Sequence, residues 1–103
     1  MNFQKKEELE KILSNGYMPI SMNENTANEI YRMYHKDANY FNRVKKAIDR
    51  ICCNPEQSEK LTGIFKGYRS KHVGSKVIIF RYDKNNGIYI ENLDEHDTAY
   101  KIK

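Results

Sequence analysis

The sequence predicts one α+β domain, in which a helical hairpin packs on an antiparallel β-sheet and a further short helix precedes it. Three observations lead to this prediction. The chain has 103 residues, the length of a single domain, so residues 1–103 are taken as one unit. Apolar residues recur at helical spacing up to residue 54. From residue 61 onward they form short β-branched and aromatic runs separated by turn signals, which are typical of strands.

The N-terminal part of the chain contains a helix and a short strand. Apolar residues cluster on one side of a predicted helix over residues 3–14, and Gly16 ends it. Residues 17–22 form a short apolar run that Pro19 interrupts. Because proline cannot donate a hydrogen bond to a neighbouring strand, this run is predicted to be an edge strand.

Two further helices are predicted as a hairpin. Asn23 or Asn25 can cap the first of them. The apolar stripe is interrupted at residues 35–37 and then resumes until Asn54-Pro55, where the second helix ends. An interruption followed by renewed helical spacing fits two helices better than one long helix.

The remaining chain is predicted to form four strands, with turns at residues 74–75 and 83–87. The Asp-Lys-Asn-Asn-Gly sequence of the second turn is a strong hairpin signal. The run KVIIFRY over residues 76–82 is β-branched and aromatic, so it is predicted to be the central strand. The predicted strands cover residues 64–73, 76–82, 88–93 and 98–102.

Composition excludes several classes of protein. Hydrophobic residues make up 39% of the chain and charged residues 31%, which indicates a folded rather than a disordered protein. No apolar run approaches the ~18 residues of a membrane span, and the N-terminus has no signal-peptide core, so we expect a cytoplasmic protein. Cys52 and Cys53 are adjacent, a spacing that strains a disulfide between them, so both are predicted to be reduced.

Positive charge is concentrated in the second half of the chain. The net charge is +4, and residues 61–103 carry eight basic and five acidic groups. Residues 66–81 contain no acid, whereas residues 91–97 contain four acids and no base. A basic stretch that also holds tyrosine and histidine is typical of a surface for a polyanion, although a solvated strand face has the same composition. The cations of this basic block are Lys66, Arg69, Lys71, Lys76 and Arg81.

Metal and cofactor chemistry is not predicted. The histidines at positions 35, 72 and 96 lack zinc-site spacing, and the adjacent cysteines lack a C-x-x-C partner. The sequence contains neither a phosphate-binding P-loop nor a dinucleotide fingerprint. We therefore expect no metal and no small-molecule cofactor.

RNA cleavage without a metal needs a base, an acid and cations around the phosphate. His72 and His96 can exchange protons near neutral pH, although a histidine in a strand can equally be structural. On an ideal strand Arg69 and Lys71 share one face while Tyr68 and His72 share the other. A twisted sheet or a bulge is therefore needed if these side chains are to converge.

Residues 61–73, LTGIFKGYRSKHV, resemble the L-x-G-x-W-K-G-Y-R-x-x-H-V segment of the YafQ branch of the RelE/ParE-superfamily toxins. As in that branch, an apolar strand, a hairpin and a histidine in a short x-H-x-x-x-aromatic tail follow, here EHDTAY over residues 95–100. Residues 35–39, HKDAN, are similar to its inter-helix segment. The likeness covers roughly residues 20–102, and residues 1–16 are predicted to be an N-terminal extension.

The resemblance implies a RelE-like fold with a twisted antiparallel sheet and a role as the toxin of a type II toxin–antitoxin system. The implied activity is that of a ribosome-dependent, metal-independent mRNA endoribonuclease that inhibits translation. The implied partners are a cognate antitoxin protein and the ribosome with its mRNA, without a membrane. In this reading the RNA-binding residues of the basic block are Lys66, Arg69, Lys71 and Arg81.

The same resemblance implies a catalytic set of His72, Lys76, His96 and Tyr100. His72 would act as base or phosphate ligand and His96 as general acid, because its acidic neighbours favour the imidazolium. Lys76 and Arg69 would stabilise charge, and Tyr100 stands where the family has an aromatic residue.

Three positions depart from the YafQ pattern. Glu59 stands where a catalytic histidine is expected, Lys76 replaces an acidic residue and Val77 replaces a tryptophan. Lys76 instead resembles the arginine that RelE-type enzymes carry after the strand turn. Two other functions stay open beside the nuclease: a ParE-like toxin that poisons DNA gyrase by binding, and a catalytically degenerate protein that binds only its antitoxin.

Overall fold

The computed structural model describes residues 3–95 of the chain. Within that stretch three helices pack on one face of a five-stranded sheet, which confirms the predicted α+β class and the additional N-terminal helix. Two short 3₁₀ turns, Pro55–Gln57 and Gly63–Phe65, flank the second strand. The elements are α1 (Phe3–Leu13), β1 (Ile20–Met22), α2 (Glu24–Lys36), α3 (Ala38–Cys53), β2 (Glu59–Lys60), β3 (Arg69–Val73), β4 (Lys76–Asp83) and β5 (Gly87–Glu95).

The sheet has the strand order β1-β5-β4-β3-β2, so β4 is the central strand, as predicted. The pairs β2–β3, β3–β4 and β4–β5 are antiparallel, in agreement with the prediction. β1 differs because it pairs in parallel with β5, with Ile20 opposite Ile88. The sheet is therefore mixed. A parallel pair needs a long crossover connection, and the chain between β1 and β5, which includes α2 and α3, supplies it.

Polar caps define the helical hairpin. At the start of α2 the backbone N–H of Thr26 donates a hydrogen bond of 2.8 Å to Oδ1 of Asn23. Asp37 separates α2 from α3, and its Oδ1 accepts a hydrogen bond of 3.1 Å from the N–H of Tyr40. The predicted break at residues 35–37 is confirmed, and Asn23 is the cap of α2.

One large core joins the three helices to the sheet. Ile30 of α2, Ile48 of α3 and Phe80 of β4 are all fully buried in it. α1 contributes Leu9 and Leu13, each 0% exposed. Because burying one leucine side chain stabilises a protein by about 1.5–3 kcal/mol, α1 is an integral part of the core.

The two cysteines at the end of α3 lie in different environments. Cys52 is buried and Cys53 is exposed, and both are free thiols, as predicted. Burial raises the pKa of the Cys52 thiol. A buried thiol that stays protonated is unreactive, so Cys52 acts as a small core residue.

The strand predicted over residues 64–73 begins later than expected. β3 starts at Arg69, because the preceding loop closes on itself. The N–H of Leu61 donates to the carbonyl of Tyr68 at 3.0 Å, and the N–H of Tyr68 donates to the carbonyl of Phe65 at the same distance. The two-residue strand β2 was not predicted, because Glu59 and Lys60 are both polar. The strand predicted over residues 98–102 lies outside the described residues.

Both predicted turns of the sheet are present. Residues 74–75 connect β3 to β4, and residues 84–86 connect β4 to β5. In the second turn the Asp83 carboxylate accepts a hydrogen bond from the N–H of Asn85 at 2.8 Å and another from the Asn86 side chain at 3.0 Å. These bonds lower the pKa of Asp83. They therefore support the turn at neutral pH and are lost as the pH falls through that lowered value.

A β-bulge interrupts the pairing of β4 with β5. Ile79 is opposite Asn92 whereas Phe80 is opposite Ile90, which leaves Glu91 as an extra residue in β5. The Glu91 carbonyl accepts hydrogen bonds from the Asn23 side chain at 2.8 Å and from the Thr26 hydroxyl at 3.1 Å. The start of α2 therefore holds the bulge in place.

The turn between β3 and β4 is held by α3. The Tyr40 hydroxyl donates a hydrogen bond to the carbonyl of Val73. The Arg43 guanidinium lies 5.1 Å from the centre of the Tyr40 ring. A Cβ on Gly74 would lie only 3.0 Å from that guanidinium and 3.1 Å from the Tyr40 hydroxyl. α3 thus fixes the end of β3.

We predict that Gly87→Ala destabilises the protein far more than Gly16→Ala. Both glycines have positive φ, +85° and +80°, so an alanine is strained at either position, by about 1–2 kcal/mol. A Cβ on Gly87 would also lie 2.2 Å from the carbonyl oxygen of Pro19, which accepts the Ile88 N–H at 2.9 Å, whereas Gly16 has nothing within 4 Å. Urea unfolding of both variants measures the difference. Equal losses of stability would show that β1 does not approach β5 this closely.

We also predict that Tyr40→Phe lowers the free energy of unfolding by about 1–3 kcal/mol, because it removes the hydroxyl that donates to the Val73 carbonyl. Tyr17→Phe is the matched control, since Tyr17 is 63% exposed and its variant should change stability by less than about 0.5 kcal/mol. Urea unfolding compares the two. A Tyr40 variant as stable as the control would mean that α3 does not hold the turn.

Candidate functional site

The two faces of the sheet differ, because successive strand residues point to opposite sides. The helices cover one face, here called the helix side. On the opposite face, called the outer face, Val77 and Ile79 of β4 are buried. The loop residues that pack on them are Leu61, Phe65 and Tyr68. The registers place further side chains on the outer face: Ser70 and His72 of β3, Arg81 of β4, and Tyr89, Asn92 and Asp94 of β5.

The predicted site residues of β3 and β4 divide between these faces. His72 and Arg81 lie on the outer face, whereas Arg69, Lys71 and Lys76 lie on the helix side. The alternation predicted for residues 68–72 is therefore confirmed. The bulge lies in β5 rather than in β3, so it does not bring the two groups of side chains together.

Among the described residues, one predicted site residue lies in a loop and not on a strand face. Lys66 is exposed and lies between Phe65 and Tyr68, in the loop that packs over the outer face. His96 and Tyr100 lie outside the described residues. Their predicted roles as acid and aromatic partner stay predictions.

His72 is an exposed side chain near the end of β3. It is opposite Val77, which is itself opposite Asp94, so the three residues form one row across the outer face. Val77 is fully buried and forms an apolar floor beside the imidazole. The neighbouring Val73 carbonyl is held by α3 through Tyr40, which fixes the backbone that carries His72.

A second row on the outer face combines a cation with two aromatic rings. The Arg81 guanidinium lies 5.5 Å from the centre of the Tyr68 ring and 5.0 Å from that of Tyr89. Phe65 packs edge-on against Tyr68, with 6.3 Å between ring centres. Flat aromatic and guanidinium surfaces are the groups on which unpaired bases stack. We call this the Tyr–Arg–Tyr row.

The two rows are separated along the sheet. From Val77, opposite His72, to Arg81 is four residues of β4, or about 13 Å at ~3.3 Å per residue. A ligand that contacts both His72 and the Tyr–Arg–Tyr row must therefore be extended along the strands.

Lys76 has a partner on the helix side. Its Nζ lies 3.4 Å from a carboxylate oxygen of Glu95, and its side chain is only 18% exposed. The two residues are paired across β4 and β5, so the ion pair holds the end of β5 against the start of β4. Such a pair contributes about 0–1 kcal/mol. Lys76 is directed away from the face that carries His72.

Arg69 is engaged with the loop that precedes β2. Its Nη1 donates hydrogen bonds to the carbonyl of Glu56 at 3.1 Å and to that of Ser58 at 3.0 Å. Both carbonyls belong to the loop that contains the Pro55–Gln57 turn. In this structure the Arg69 guanidinium fastens that turn to the edge of the sheet, and its predicted RNA contact stays a prediction.

Two of the three positions that depart from the YafQ pattern, Glu59 and Val77, lie on the outer face, whereas Lys76 lies on the helix side. Glu59 in β2 is exposed and opposite Ser70, which places it on the same face as His72. Val77, in place of tryptophan, is buried opposite His72. Ser70 is 3% exposed, and its hydroxyl finds no hydrogen-bond partner among the described residues.

Among residues 3–95, no three histidine, cysteine, aspartate or glutamate side chains come together in a way that could hold a metal ion. In the same part of the chain, none of the helices has the length and apolar character needed to span a membrane.

Sequence reasoning missed two residues of this region. Tyr89 lies opposite Arg81. The predicted hairpin at residues 83–87 determines which residues of its two strands face each other, so it could have indicated this pair. Tyr40 is the other, and no sequence signal connects it to Val73, 33 positions away.

Several solved structures share this fold. The YoeB–YefM toxin–antitoxin heterotetramer from Staphylococcus aureus matches with a TM-score of 0.67 at 18% identity, over 77% of this chain and 97% of that one. The YoeB/ParE toxin from Agrobacterium tumefaciens matches with a TM-score of 0.68 at 15% identity, over 77% and 99%. The DinJ–YafQ complex from E. coli matches with a TM-score of 0.57 at 18% identity, over 82% and 99%. No family model and no curated protein matches the chain.

These structures are covered almost completely, whereas 77–82% of this chain is matched. About a fifth of the chain therefore has no counterpart in them, and the assignment of residues 1–16 as that extension stays a prediction. The identities of 15–18% establish the fold. The chain thus shares the RelE-like fold of the YoeB, YafQ and ParE toxins of the RelE/ParE superfamily.

Proposed function

We propose that this protein is the toxin of a type II toxin–antitoxin pair and that it inhibits translation by cleaving mRNA on the ribosome in the cytoplasm. The observation that carries the proposal is the outer face of the sheet, where an exposed histidine and the Tyr–Arg–Tyr row lie on the same surface. The shared toxin fold supports the proposal.

The outer face suits single-stranded RNA. Unpaired bases stack on aromatic rings and guanidinium planes, each at about 1–3 kcal/mol. Since the Tyr–Arg–Tyr row is about 13 Å from the row of His72 along β4, it would hold nucleotides that flank the cleaved bond. Arg81 therefore acts in binding, and Lys66 in the adjacent loop adds charge.

The proposed reaction is an internal transesterification of RNA. The 2′-oxygen attacks the adjacent phosphorus, the bond from phosphorus to the 5′-oxygen breaks, and the products are a 2′,3′-cyclic phosphate and a 5′-hydroxyl. His72 takes the proton of the 2′-hydroxyl or binds the phosphate, and His96 gives a proton to the 5′-oxygen. Tyr100 is the proposed aromatic partner of the same phosphate. The helix-side contacts of Lys76 and Arg69 favour structural roles for these two residues.

A cognate antitoxin is the proposed partner. The solved neighbours include a YoeB–YefM complex and a DinJ–YafQ complex. We expect the antitoxin of this chain to cover or distort the outer face, because a protein bound there excludes RNA from His72 and Arg81. Antitoxin and ribosome should then compete for the toxin.

Expression of the chain without its antitoxin should stop growth through loss of translation. Pulse labelling of protein and DNA synthesis measures which process fails first, and co-expression of the antitoxin should restore growth. If DNA synthesis failed first while protein synthesis continued, the ParE-like function would replace this one. Continued growth at full expression would identify a degenerate protein that only binds its antitoxin.

His72→Gln should lower the rate of ribosome-dependent mRNA cleavage by about 10²–10⁴-fold at matched ribosome occupancy, because it removes a proton-transfer group. His96→Gln should have a similar effect. His35→Gln is the control: His35 is exposed at the end of α2, with its ring 4.5 Å from Tyr31, and its variant should cleave normally. Primer extension on ribosome-bound mRNA measures the rates. A His72 variant within a few-fold of wild type would remove that residue from the mechanism.

A further inference from the structure

We infer that a cleft on the helix side binds a phosphate group of the RNA backbone, as a second site separate from the outer face. The identification of RNA as the ligand rests on the proposed function. The cleft has a volume of about 330 Å³ and lies where the end of α3 and the following turn meet β3. Its polar lining consists of Arg50, Asn54, Gln57, Ser58 and Lys71.

Hydrogen bonds within the protein hold the wall of the cleft in place. Arg69 fastens the turn after α3 to the sheet by donating to the carbonyls of Glu56 and Ser58. Asn54 ends α3, and its N–H donates to the Arg50 carbonyl at 3.2 Å. Because these backbone positions are held by hydrogen bonds, the side chains that line the cleft project from a fixed frame.

The charge of the cleft favours an anion. Arg50 and Lys71 supply two positive charges, and no acidic side chain of the described chain lines the cleft. The end of α3 contributes a partial negative charge of about half a unit, which two full cations outweigh. Asn54, Gln57 and Ser58 add neutral hydrogen-bond donors. Two cations with neutral donors are the usual ligands of a phosphate group.

The position of the cleft explains how one RNA strand could contact both faces. Lys71 and His72 are consecutive residues on opposite sides of β3. β2 pairs only with Arg69 and Ser70, so within the described chain it leaves the edge of β3 uncovered beyond them. A strand that leaves His72 can therefore pass around this edge and place a phosphate between Lys71 and Arg50.

The test is the salt dependence of RNA binding by the full chain. Fluorescence anisotropy of a labelled single-stranded RNA oligomer, measured between about 50 and 200 mM salt, gives the slope of log affinity against log salt. For the double variant Arg50→Gln with Lys71→Gln, the slope should fall by about 0.7, since the cleft holds one phosphate and each phosphate neutralised on a single strand contributes ~0.7. Lys84→Gln, in the exposed β4–β5 turn, should leave it unchanged.

Two further variants keep the test decisive. Lys71→Arg retains the charge and should retain the slope, so it attributes the loss to the missing charge. Urea unfolding of the double variant, with a midpoint near that of wild type, excludes a folding defect. Arg81→Gln removes a cation of the outer face, and its effect should add to that of the double variant if the sites are separate. A double variant with the slope of wild type, or a wild type that binds no RNA, would overturn the proposal.

The remaining outcomes separate this site from the proposed function. RNA binding that depends on Arg50 and Lys71, without mRNA cleavage by wild type, would support the cleft and contradict the nuclease. Cleavage by wild type, with an unchanged slope in the double variant, would support the nuclease and contradict the cleft. Titration with inorganic phosphate alone distinguishes the source of the ligand. Binding of free phosphate that RNA does not displace would contradict the RNA assignment.

Discussion

Burial of β4 on both of its faces is the constraint on which the rest of the structure depends. Val77 and Ile79 are 0% exposed on the outer face, and Ile78 and Phe80 are 0% exposed on the helix side. A slip of one residue in β5 would move Ile88, Ile90 and Leu93 out of the core on the helix side. The registers of β3 and β5 against β4 follow from this constraint. They decide in turn on which face each charged side chain lies.

The basic block is continuous in sequence but not in space. Successive side chains of a strand point to opposite faces of the sheet. His72 and Arg81 therefore lie on the outer face, whereas Arg69 and Lys76 lie on the helix side. Those two are engaged with loop carbonyls and with a carboxylate of the protein itself. A count of cations therefore overstates the charge that this region leaves available to a ligand. Arg81, which the proposed function assigns to RNA binding, lies instead beside two aromatic rings.

Local signals account for what the sequence could predict, and long-range pairing accounts for what it could not. The cap at Asn23, one of the two predicted, the break at residues 35–37 and the hairpin at residues 83–87 depend on neighbours a few positions away, and all three were predicted. The parallel pairing of β1 with β5 joins residues 68 positions apart and leaves no local trace. The candidate site divides in the same way. His72 and Arg81 could be chosen from residue type, but only the register assigns them to one face.

α1 also affects which proteins can bind this chain. It packs against α2 and β1 and buries Leu9 and Leu13 completely. α1 covers the part of α2 against which it packs. A protein that docked there would first have to displace two leucines, at a cost in free energy of about 1.5–3 kcal/mol each. An antitoxin that binds the uncovered surface of α2 would lose roughly 10²–10⁴-fold in affinity from that cost alone. For the proposed antitoxin, this cost lies in the hydrophobic core, where changes of surface charge cannot remove it.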